Sequence, residues 1–248
     1  MKSFGLFALV ALVIVSCSPK NETDKAQEVI DAAISANGAH LFATKKVAFD
    51  FRKKHYSVAR TGAEYTYTRS FEDSLGQIND VLTNSSNFSR SINGNEINLS
   101  EEWQGKYGNS VNSVLYFVEI LYRLNDAAVF KSYLGKTTIK GENYHVIKVT
   151  FSEEGGGTDF QDEYRYWIHE TEYTLDYLAY NYETDGGGAR FREAYDRTKV
   201  GGITFQNYVN YKPIPDVKET PLDDLPKQFE AGQLKELSKI VNENIEVG

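Results

Sequence analysis

The chain has 248 residues, 41% hydrophobic and 25% charged, with 17 Tyr and 14 Phe but only one Met, two Trp and one Cys. This is the make-up of an ordinary globular fold, and the tyrosine excess favours strands whose rings are half buried. A formal net charge of −8 without a basic patch excludes a nucleic-acid partner, and a single cysteine excludes a disulfide within the chain.

Residues 1–17 read as a leader: Lys2 gives the positive start, Phe4 to Val15 a short apolar core, and Ile14-Val15-Ser16-Cys17 the end. A small residue before a Cys at that place resembles the lipobox of bacterial lipoproteins, cleaved before the Cys and acylated on it. An ordinary secretory leader with an accidental Cys is the alternative. The resemblance implies lipidation of Cys17, a membrane anchor, and no thiol left for nucleophilic or metal work. Residues 18–24 read as a polar tether, with neither an Asp after Cys17 nor an acidic run. An outer-membrane anchor facing the periplasm is the expectation.

Residues 25–248 read as one domain, without repeat or linker. The spacing of Ala26, Val29, Ile30, Ala33 and Ile34 predicts an N-terminal helix over Thr23 to Asn37, stopped at Gly38. Strands are expected over Lys46 to Ala59, Glu64 to Phe71 and from Gly76 to Leu82, with Thr61-Gly62 as a hairpin signal. From Thr83 to Gly108 the pattern degrades into Asn, Ser and Gly. Short strands are expected there, a tight turn at Asn93-Gly94, and a mobile loop holding Trp103 and Tyr107.

Val111 to Leu124 (VNSVLYFVEILYRL) is the most apolar stretch of the domain, yet too short for a bilayer, which needs about 20 apolar residues. At helical period only Asn112, Tyr116, Glu119 and Arg123 share a stripe that water could wet, with Glu119 and Arg123 at ion-pair spacing. Ser110 is the expected cap and Asn125-Asp126 the stop. A helix apolar over most of its circumference needs a concave partner.

The remaining segments supply one. Leu134 to Lys140 and Tyr144 to Phe151 form a hairpin, followed by strands over Asp162 to His169, Tyr173 to Tyr182, Arg190 to Thr198 and Ile203 to Tyr211. Pro213, Pro215, Pro221 and Pro226 mark a loop, and Leu237 to Val247 a closing strand, although Gln233 to Val241 also fits a helix. The expected fold is mainly β (α+β): a curved antiparallel sheet or half-barrel wrapped around a central apolar helix, with an N-terminal helix.

Little catalytic chemistry is legible. The runs Gly155-Gly156-Gly157 and Gly186-Gly187-Gly188 lack the Lys-Ser/Thr of a phosphate loop and fall between strands. His40, His55, His145 and His169 lack metal-ligand spacing, and no G-x-S-x-G elbow supplies a nucleophile for His169. No cofactor or metal is expected. Phe49, Phe51, Tyr65, Tyr67, Leu115, Val118, Ile203 and Phe205 either form the core against the helix or line a hollow that the helix only partly fills.

Trp167-Ile168-His169-Glu170-Thr171-Glu172-Tyr173-Thr174-Leu175, and then Lys199-Val200-Gly201-Gly202-Ile203-Thr204-Phe205, resemble the late strands of the lipoprotein-carrier (LolA/LolB-like) folds. A fuller likeness, over residues 25 to 248, is to a family of uncharacterised Bacteroidota lipoproteins sharing that architecture. It rests on Asn37-Gly38, Tyr133-Leu134-Gly135, Tyr144 to Phe151, the first glycine run, Tyr166 to His169 and Gly186 to Tyr195. The resemblance implies a half-barrel that holds acyl chains in an apolar hollow. Some relatives are called deoxyribose-phosphate aldolases, a name this sequence rejects because that enzyme is a TIM barrel and no βα alternation is present. The expected function is non-catalytic binding of a lipid or other hydrophobic ligand. The alternatives are a protein-interaction module of an envelope complex, its partner unidentified, and then an enzyme with an unrecognised site.

Overall fold

A computed structural model describes residues 21–62, 64–84, 86–154, 161–183 and 186–248. The leader, Cys17 and the first glycine run lie outside the described residues. Helix α1 (Glu22–Ala36) starts inside the expected tether, where Glu22 and Asp24 place negative charge on its N-terminal turn. It ends as expected at Gly38, which takes φ +64° and lies so close to the Gly202 carbonyl that a Cβ would clash. Asn37 ties that end down: its Nδ2 donates to the carbonyls of Ala33 and Tyr173, and its carbonyl accepts from Thr204 N.

Two curved, unclosed antiparallel sheets follow, where one was expected. The first contains β1 (Val47–Phe51), β2 (Lys54–Thr61), β3 (Glu64–Asp73), β4 (Gly76–Thr83), β5 (Asn87–Ile92) and β6 (Asn95–Glu96) in sequence order. The expected strand from Lys46 to Ala59 is thus a hairpin. Arg52 and Lys53 both take positive φ, a conformation that neither residue type advertises.

Helix α2 (Glu101–Val118) begins well before the expected Val111, capped by Ser100, whose side chain accepts from Trp103 N. Ser110 lies inside the helix instead and accepts from Arg69. Trp103 and Tyr107, expected in a loop, stack on one another within α2, with Tyr107 against Phe88. At Glu119 the helix breaks, and a single turn, α3 (Ile120–Arg123), continues it. Among the described residues no helix is long and apolar enough to cross a membrane.

The second sheet contains β7 (Val129–Ile139), β8 (Glu142–Phe151), β9 (Tyr164–His169), β10 (Leu175–Tyr182), β11 (Gly188–Val200) and β12 (Ile203–Lys212). The proline loop then holds an unexpected short helix, α4 (Leu225–Glu230), with Pro226 in its first turn, where a missing N–H costs nothing. The closing segment is extended rather than helical. Its first half, β13 (Lys235–Ile240), pairs with β12, and its second, β14 (Glu243–Val247), pairs with β1. One stretch of chain thereby joins the edges of both sheets.

Three apolar clusters result. The first sheet packs Val47, Phe49, Tyr67 and Leu82 against Val111 and Leu115 of α2. The second packs Ile147, Tyr166 and Leu178 against α1 and α3. Its other face, with Trp167 and Phe191, is covered by Leu222 and Leu225. The α2–α3 segment therefore lies between the sheets, which is why it is apolar on more than one side.

Candidate functional site

The polar stripe expected to face water along the central helix does not do so at Glu119, which is fully buried. Its carboxylate takes both terminal nitrogens of Arg60 and the hydroxyl of Tyr67 at 2.5 Å. Arg123 pairs with Asp126 at 2.6 Å rather than with Glu119. The break after Val118 turns Glu119 into the first sheet, so an i, i+4 pairing drawn on a straight helix fails. Burial, with the adjacent carboxylate, pushes the Tyr67 hydroxyl well above the ordinary tyrosine range. A second buried cluster joins Asp80 to Arg69 and Arg90. In both clusters the buried carboxylate is met by arginine, so its charge is spent inside the fold.

Space remains on the other side of the helix. A cavity of about 310 Å³ lies between the end of α2, the tip of β1 and strands β10 to β13. Val114, Phe117, Val118, Phe51 and Ile240 supply its apolar walls, and Tyr180 and Tyr208 two aromatic ones. Arg192, Asn210 and Asn242 add polar groups from the second sheet and its continuation, and Arg52 and Ser113 stand exposed at the rim. Arg192 is 7% exposed. Its guanidinium lies 3.8 Å from the centre of the Phe117 ring and donates to the Tyr180 hydroxyl at 3.0 Å. A second void of about 30 Å³, the size of one or two waters, adjoins the helix break and shares Phe117, Val118, Tyr208 and Asn242.

All eight residues singled out in the sequence fall in the cluster between the first sheet and α2. Phe51 and Val118 line the larger cavity, and Val118 and Phe205 the smaller. Phe49, Tyr65, Tyr67, Leu115 and Ile203 line neither and pack as core. Sequence reading missed Tyr180, Arg192, Tyr208, Asn210 and Asn242. The available signal was Arg190 and Arg192 alternating with Ala189 and Phe191, which ordinarily marks a wet face.

Three of the four histidines have defined partners. His169 holds its own turn, its Nδ1 accepting from Glu172 N at 3.1 Å. His145 lies between Tyr133 and Tyr173, and burial lowers its pKa. His55 bonds Asp50 at 2.8 Å. Among the described residues no group of three or more His, Cys, Asp or Glu is placed to hold a metal.

A family model described as a family of unknown function (DUF6503) matches residues 2–242. No curated protein matches the chain. Among solved structures, a LolA superfamily protein from Nitrosomonas europaea is similar, with a TM-score of 0.50 at 10% identity over 89% of this chain and 92% of that one. A DUF1329 family protein from Desulfovibrio piger aligns with a TM-score of 0.46 at 10% identity, over 92% and 93% of the two chains. The first likeness is one of fold: a half-barrel of curved antiparallel strands with helices inside.

Proposed function

We propose that this chain, which belongs to the DUF6503 family of unknown function, is an envelope lipoprotein whose folded domain binds a lipid or another hydrophobic molecule without catalysis. The cavity beside α2 carries the reading. Protein interiors are close-packed, and voids much larger than a water are few. A space of about 310 Å³ with aromatic and aliphatic walls is at the small end of ligand pockets, which run from roughly 300 to 1,000 Å³. The likeness of the late strands to acyl-chain carriers supports the same reading. Cys17 supplies the anchor, in the outer membrane and facing the periplasm, on the strength of the residues around it. Replacing Cys17 with Ser should abolish incorporation of labelled acyl chains; persistent labelling would put the anchor elsewhere.

Every described element lies within residues 22–247, so a protein starting at Asn21 contains all of them. Titrated with fluorescent fatty acids, it should bind more tightly as the chain lengthens, by about 0.8 kcal/mol per buried methylene, until the cavity is full. Val118→Phe, which enlarges a wall residue, should shorten the preferred chain. Binding that is flat across chain lengths, or absent, would put the interaction-module reading ahead.

A further inference from the structure

Buried arginines in this molecule come with carboxylates. Arg60 pairs with Glu119, Arg69 and Arg90 with Asp80, and Arg165 with Asp223. Arg192 is as deeply buried as these, yet among the described residues it has no acidic partner. It has only the Tyr180 hydroxyl, the Phe117 ring and the Tyr180 ring, and its Nε has no hydrogen-bond partner. A buried guanidinium without a counter-charge is costly to keep. The Asn210 Oδ1, which belongs to the same cavity wall, is also buried without a partner. Two unmet polar groups thus sit in an otherwise largely apolar space.

Resting on the lipid-binding reading, we propose that the cavity takes an amphiphile whose oxyanion head, a carboxylate or a phosphate monoester, is held by Arg192. The tail then runs along Val114, Phe117 and Val118. A planar guanidinium offers an oxyanion two parallel donors at its terminal edge, Nη1 and Nη2, and of the two Nη2 hydrogens one goes to Tyr180. Since the whole chain is acidic at −8, selection of an anion has to be this local.

The test uses the protein from Asn21 onward and ligands of one chain length: dodecanoic acid, methyl dodecanoate and dodecyl phosphate, with acetate and inorganic phosphate as tailless controls. At least one of the two anionic amphiphiles should bind about tenfold or more tighter than the ester, the size of one hydrogen bond to a charged group. The stronger of the two identifies the head. Arg192→Met should bring that ligand down to the level of the ester and leave the ester unchanged, which shows the cavity intact. Equal binding of acid, phosphate and ester by the unaltered protein would overturn the proposal while leaving the lipid-binding reading in place. No binding by any long-chain ligand would overturn both. Binding of inorganic phosphate or acetate as tight as that of the long-chain anion would also overturn it, since the tail would then contribute nothing.

Discussion

The two flanks of the α2–α3 segment are built differently. Towards the first sheet Val111 and Leu115 are fully buried, Glu119 is held by Arg60 and Tyr67, and Arg69 reaches from Asp80 to Ser110. Towards the second sheet Phe117, near the end of α2, meets the Tyr180 ring at 5.5 Å and the Arg192 guanidinium at 3.8 Å, and the cavity lies beside these contacts. One flank fixes the helix and the other leaves room. A segment packed equally on both sides would have no space for a guest, and one loose on both would have no fixed position.

The largest effect expected from breaking this asymmetry is on the packed flank. Leu115→Asp puts an unpaired charge at a site with no exposure, and should remove several kcal/mol of a total of about 5–15 kcal/mol. Urea unfolding measures it, and a midpoint unchanged from the parent would mean that the helix is peripheral. Next comes Glu119→Gln. As a wet residue on an exposed stripe Glu119 would tolerate the change; as the buried partner of Arg60 it should cost about 3–5 kcal/mol, because the arginine is left without its carboxylate. Val118→Phe, which faces both voids, should cost less than the roughly 1–3 kcal/mol typical of overpacking a filled core. A loss above that range would show the cavity to be closed in solution.

The smallest effect concerns pH. Burial holds the pKa of His145 below its ordinary value of about 6.5, so between the two values the unfolded chain binds the proton and the folded one does not. Its contribution to stability is complete above about pH 6.5 and is lost as pH falls from there through the folded value. His145→Gln should flatten the stability profile in that window; an unchanged slope would assign it to other groups.

The first sheet was the more legible one because only its inner face is covered. Tyr65, Tyr67, Arg69 and Phe71 alternate with Glu64, Thr66, Thr68 and Ser70, and that period shows which side is inward. The second sheet is buried on both faces, with Tyr166 and Leu178 on one and Trp167 and Phe191 on the other. There alternation carries no direction, and Arg192, opposite in facing to Phe191, read as a surface residue. The first half of α2, EEWQGKYGNS, was missed because two glycines and few apolar residues leave no helical stripe. It is held by the Ser100 cap and by Tyr107 against Phe88.

By itself the sequence determined the period-2 strands, the turns at Thr61-Gly62, Asn93-Gly94 and Gly201-Gly202, α1 with its Gly38 stop, and an apolar helix in need of a concave partner. Those are local properties, set by backbone sterics and by which side chains recur on one face. Only the tertiary structure decided that there are two sheets, that Glu119 turns inward at a helix break, and that Arg192 and Asn210 meet Phe117 and Val118 across a cavity. These depend on which surfaces approach one another over more than fifty residues of chain, and single-strand periodicity is silent on that distance.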